Sequence, residues 1–86
     1  MTNTVVWSRD MCPYCDQAKA LLKSSGVEFE ERNLSTDEWT REQLLEAVPN
    51  ARTVPQIFLN GEYIGGYDDL QQHYKDNKKF TGDDLF

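Results

Sequence analysis

The sequence predicts an α/β domain built on a mixed four-stranded sheet flanked by helices. Three observations predict it: a β-rich run leading straight into Cys12-Pro13, two β-like segments joined by Asn60-Gly61, and helical spacing in the intervals between and after them. In chain order the elements read β-α-β-α-β-β-α. Such an order makes the first crossover parallel and the last two strands antiparallel.

Thr4-Val5-Val6-Trp7-Ser8 is dominated by residues that fit a pleated surface and ends just before the cysteines. Cys12-Pro13 opens a helix, because a proline in the first turn lacks only an N–H that has no partner there. Cys15, Ala18 and Leu22 recur at helical spacing, and Gly26 supplies the stop. Val27 and Phe29 alternate with Glu28 and Glu30, predicting a second strand with one wet face. Ser35-Thr36-Asp37-Glu38 has the layout of a capping box, predicting a second helix that runs to about Val48, buries Leu44, Leu45 and Val48, and ends at Pro49-Asn50. Gln56–Leu59 and Glu62–Gly66 form a hairpin around Asn60-Gly61. Asp68 and Asp69 favour the start of a third helix with Leu70 and Tyr74 facing inward. Residues 1–76 are expected to form the domain, and residues 77–86, polar apart from Phe80, Leu85 and Phe86, a loosely held tail.

A chain of 86 residues with 38% hydrophobic content supports one modest core and one site. No run approaches a membrane span and the N-terminus lacks the layout of a secretory signal, so a soluble, cytoplasmic protein without a membrane partner is expected. The net charge of −6 argues against nucleic acid, whose binding rests on clustered Lys and Arg. A bridge between the two cysteines, Cys12 and Cys15, would close too short a loop to stabilise the fold much. Structural zinc wants about four ligands, and only the lone His73 and carboxylates remain, so no metal is expected.

The pair therefore reads as chemistry. A cysteine at a helix N-terminus meets free amides and the positive end of the helix dipole, which favour its thiolate. Cys12 has that position, with Arg9 adding positive charge and Asp10 opposing it. Cys15 lies one turn deeper, placed to attack a mixed disulfide formed on Cys12.

Cys12-Pro13-Tyr14-Cys15 resembles the active-site sequence of dithiol glutaredoxins, and Thr53-Val54-Pro55 and Gly65-Gly66-Tyr67-Asp68-Asp69 are similar to that family's two other landmarks, in the same order, over about residues 3–76. The resemblance implies a thioredoxin-like fold and a glutathione-disulfide oxidoreductase, with glutathione as co-substrate. It implies a nucleophile at Cys12, a resolving Cys15, a cis-proline at Pro55, and contacts from Tyr14, Thr53 and Val54 to the cysteinyl part of glutathione. Gly66, Tyr67, Asp68 and Asp69 would meet the γ-glutamyl part, whose carboxylate and ammonium suit helix-start amides and a carboxylate. Arg9 and Arg52 are candidates for the glycine carboxylate, with Glu42 or Gln43 as a further contact from the second helix. Trp39 and Tyr63 are expected to pack rather than touch ligand.

Oxidised or glutathionylated proteins, ribonucleotide reductase among them, are the partners the family implies, with the chain acting as a monomer. Two alternatives stand beside this reading: a dithiol donor linked to thioredoxin reductase, and a module binding an iron–sulfur cluster through Cys12 and glutathione.

Overall fold

The computed structural model describes residues 3–36 and 38–79. Its elements are β1 (Val5–Ser8), α1 (Pro13–Ser24), β2 (Glu30–Asn33), α2 (Arg41–Ala47), β3 (Gln56–Leu59), β4 (Glu62–Gly65) and α3 (Tyr67–Lys79). The sheet order is β2-β1-β3-β4, with β1 parallel to β2 and antiparallel to β3, and β3 antiparallel to β4.

Alternation along β1 divides the core. Val6 joins Ala18, Leu22, Ile57, Leu59 and Leu70 in one cluster, against α1 and α3, while Trp7 turns to the opposite face with Leu44 and Val48. Val6 and Trp7 thus anchor β1, the strand that leads to the cysteines, on both of its faces. At the far end of α1, Gly26 (φ 75°) carries the chain into the left-handed region, with the Gly26 and Val27 amides donating to the carbonyls of Lys23 and Leu22. In the hairpin, Asn60 and Gly61 (φ 53° and 87°) both adopt the positive φ of a type I′ turn.

Two elements depart from the sequence reading. The second strand is Glu30–Asn33, not the Val27–Glu30 alternation; Val27 and Phe29 instead pack under the core from the loop that leads into it. The second helix starts at Arg41, where Thr40 and Gln43 form the capping box. The Ser35 and Thr36 hydroxyls are engaged otherwise: Ser35 accepts from the Asp10 amide and Thr36 donates to the Asn33 carbonyl. Asp37 lies outside the described residues. At the C-terminus, Asn77, Lys78 and Lys79 continue α3 past the boundary set at residue 76, and the rest of the tail lies outside the described residues.

Candidate functional site

Met11 (φ 57°) takes a left-handed conformation that turns the chain from β1 into α1, and its side chain is 95% exposed. The next residue, Cys12, is the N-cap of α1: its backbone is extended and its sulfur accepts a hydrogen bond from the Cys15 amide at 3.2 Å. Pro13 follows at the first helical position. Cys12 and Cys15 form a disulfide with Cα atoms 5.2 Å apart, so the chain is in its oxidised state. Cys15 is fully buried beneath the helix start, and Cys12 is covered except for a 6% edge.

Opposite the disulfide lies the loop before β3. Val54-Pro55 is a cis peptide bond, and the Val54 carbonyl oxygen is 3.8 Å from Cys12 Sγ. The loop is braced from below. Gln56, itself buried, donates from Nε2 to the Thr53 carbonyl at 2.8 Å, and its Oε1 accepts from the Tyr63 hydroxyl at 2.6 Å. Burial, and then the Asp69 carboxylate, push the Tyr63 phenol above its ordinary range, which keeps it a donor.

This saddle separates two grooves that share Tyr14, Thr53 and Val54. One, of about 480 Å³, is lined by Cys12 and Met11, by the apolar Leu34, Leu44 and Ala51, and by Arg9, Arg41 and Arg52. The other, of about 410 Å³, runs past Pro55, Gln56 and Tyr63 to Gly66, Tyr67, Asp68 and Asp69 at the start of α3. The Tyr14 and Tyr67 rings stand 6.1 Å apart on its flank. Asp69 Oδ2 accepts the Gly66 amide at 3.1 Å, an N3 side chain reaching back to the N-cap. The remaining first-turn amides of α3 have no acceptor within the helix and can meet an anion.

Ten of the residues singled out from the sequence as ligand contacts line one groove or the other: Arg9, Tyr14, Arg52, Thr53 and Val54 the first, and Pro55, Gly66, Tyr67, Asp68 and Asp69 the second. Glu42 and Gln43 line neither, and Gln43 is spent on the Thr40 cap. Arg41, the first residue after the Thr40 cap, lines the first groove. Tyr63 lines the second groove although it also packs on Phe58, with ring centroids 5.3 Å apart. Among the described residues, no group of three or more His, Cys, Asp or Glu is placed to hold a metal ion. No helix among them is long and apolar enough to cross a membrane.

The glutaredoxin family model matches residues 4–64. Glutaredoxin 3 of Escherichia coli K12 is 43% identical over 70 residues, covering 81% of this chain and 83% of that protein. A probable glutaredoxin of Synechocystis is 40% identical over 65 residues, 76% of this chain and 74% of its own. Among solved structures, a buckwheat glutaredoxin–glutathione complex aligns with a TM-score of 0.76 at 30% identity, over 88% of this chain and 71% of that one. A dithiolic glutaredoxin from Trypanosoma brucei brucei aligns with a TM-score of 0.75 at 34% identity, over 90% and 81%.

Proposed function

The chain belongs to the glutaredoxin family of thiol–disulfide oxidoreductases, and from that premise we propose that it reduces protein disulfides and glutathione mixed disulfides with glutathione as electron source. Cys12 is the nucleophile, Cys15 the resolving thiol, and the two grooves hold the tripeptide. The observation that carries this reading is the place of Cys12: N-cap of α1, an amide on its sulfur at 3.2 Å, and the Val54 backbone across from it between a cationic and an acidic groove.

In the reduced chain the Cys15 amide and the helix dipole favour the Cys12 thiolate. The thiolate attacks the sulfur of a bound glutathione half, releasing the partner thiol. The glutathione cysteine pairs with the Val54 backbone as a short added strand. Its γ-glutamyl carboxylate meets the amides of Tyr67 and Asp68, its ammonium meets Asp68, and its glycine carboxylate meets Arg9, Arg41 and Arg52. A second glutathione, or Cys15, then attacks the mixed disulfide. Resolution by Cys15 forms the disulfide seen here, which two glutathione thiols return to the dithiol. A single domain closed by α3, acting as a monomer in a reducing cytosol on oxidised or glutathionylated proteins such as ribonucleotide reductase, completes the proposal.

The test is the glutathione-coupled assay with glutathione reductase on wild type, Cys12→Ser and Cys15→Ser. Complete loss in the first and partial retention in the second with a glutathionylated substrate are expected. Activity surviving Cys12→Ser overturns the roles, and turnover with thioredoxin reductase but not with glutathione overturns the electron source.

A further inference from the structure

The groove that would receive the glycine end of glutathione is lined by Arg9, Arg41 and Arg52 and, among the described residues, by no carboxylate. None of the three forms an ion pair among the described residues, whereas Lys19 and Arg32 do. This concentration of positive charge runs against a chain whose net charge is −6. A single glycine carboxylate accepts one bidentate guanidinium well and cannot neutralise three. The surplus is a field for further negative charge beside the reacting sulfur.

The direction follows from the tripeptide. Glycine is the C-terminal neighbour of its cysteine, so a polypeptide laid along Val54 in the same sense places the residues after its cysteine in the arginine groove. Met11, 95% exposed beside Cys12 and on the same groove, offers such a chain an apolar contact. We propose that the groove selects protein disulfides whose attacked cysteine is followed on its C-terminal side by acidic residues; this substrate class rests on the glutathione pose given above.

The reaction balances without a new reagent. A bond forms between Cys12 Sγ and the cysteine sulfur while the substrate disulfide breaks, and its other sulfur leaves as a thiolate that takes a proton from water. Cys15 gives its proton to water and attacks Cys12 Sγ, which closes the Cys12–Cys15 disulfide and releases the second substrate thiolate. Two glutathione thiols reduce that disulfide and become one glutathione disulfide.

The experiment uses symmetrical disulfide dimers of three short peptides, Cys-Glu-Glu, Glu-Glu-Cys and Cys-Gln-Gln. Each is mixed with the pre-reduced chain without glutathione, and oxidation is followed by thiol trapping. Each rate is divided by the rate of dithiothreitol with the same dimer, which removes differences in intrinsic disulfide reactivity. At about 0.01 M salt the Cys-Glu-Glu dimer is expected to react roughly five-fold faster than the other two. The advantage should vanish at about 1 M salt, where screening reaches about 3 Å. Arg41→Gln with Arg52→Gln should remove the advantage and leave the Cys-Gln-Gln rate less affected. Equal rates for all three dimers, or Glu-Glu-Cys matching Cys-Glu-Glu, overturn the proposal. The coupled assay on a small glutathione mixed disulfide, run in parallel, separates the two readings: its failure would sink the glutathione reading, while the ranking of the dimers judges the substrate class.

Discussion

The Tyr63 hydroxyl donates to Gln56 Oε1 at 2.6 Å, and the far end of the same amide donates to the Thr53 carbonyl at 2.8 Å. A side chain on β4 thereby sets the orientation of a buried amide that holds the loop facing Cys12. Tyr63→Phe removes the first donor and leaves Gln56 Oε1 without it, at a cost of about 1 kcal/mol. With the loop less firmly held, KM for a glutathionylated substrate is expected to rise roughly three-fold while kcat changes little, because the thiol itself is untouched. Steady-state kinetics on the folded variant decide it: an unchanged KM would show that the loop holds its place without the relay.

Much of this arrangement was legible in the residues, and the exceptions have a common physical cause. Cys12-Pro13, Gly26 and Asn60-Gly61 each impose a backbone requirement that few other residues meet, so α1, its end and the hairpin could be placed locally. The second strand could not. Among the described residues it is an edge strand paired only with β1, and Glu30-Glu31-Arg32-Asn33 offers no apolar alternation; its position is set by the register Val5↔Glu30. Ser35-x-x-Glu38 and Thr40-x-x-Gln43 satisfy the same capping pattern, and the choice between them depends on a tertiary bond, the Asp10 amide to Ser35. With the helix started at Ser35, Arg41 falls inside it rather than at its first position, from which it lines the first groove.

A pH dependence follows from a network behind the site. Glu31 Oε2 accepts from the buried Ser8 hydroxyl at 2.6 Å and from Lys19 at 2.8 Å, tying β2 to β1 and α1. Burial raises the Glu31 carboxyl, but hydrogen bonds from Lys19 and Ser8 outweigh it and hold the group below its ordinary value of 4.5. The hydrogen bond to Glu31 holds Lys19 above 10.5, against some desolvation. A lowered carboxyl stabilises the fold above 4.5 and loses that contribution as pH falls through its folded-state value; a raised ammonium stabilises below 10.5 and loses it as pH rises. Both contributions are therefore complete between these limits. Glu31→Gln should cost about 1 kcal/mol at neutral pH, discounted because both side chains are partly exposed. The difference from wild type should shrink as pH falls below 4.5 and through the lowered folded-state value, as measured by urea unfolding at each pH. A pH-independent difference would mean that packing rather than charge is lost.

Gly65 closes β4 at φ 121°, a conformation L side chains rarely adopt, and a Cβ there would collide with the Asp69 carboxylate. That carboxylate is the one that accepts the Gly66 amide. Gly65→Ala therefore strains the backbone and displaces the cap of α3 together, with an expected loss of about 2–3 kcal/mol. Because Asp69 lines the second groove, weaker glutathione binding should accompany the loss, measurable by calorimetry on the reduced variant at a temperature where it remains folded. Wild-type stability in this variant would show that Asp69 moves aside freely and does not hold the helix start.

Cys12 combines two duties that substitution can separate. Its sulfur is the acceptor for the Cys15 amide, so it caps α1 as a serine or threonine would elsewhere. Serine retains an acceptor at nearly the same place, whereas alanine leaves the Cys15 N–H, buried under the helix start, without one. Neither variant can attack a disulfide, and both should be inactive. Against the reduced wild type, which equally lacks the cross-link, Cys12→Ser should unfold at nearly the same denaturant concentration and Cys12→Ala should lose about 1 kcal/mol. If the two unfold alike, the 3.2 Å contact contributes nothing to the helix and the sulfur's surroundings serve the thiolate alone. If alanine is the weaker, the amide that would favour the thiolate is the one that starts the helix.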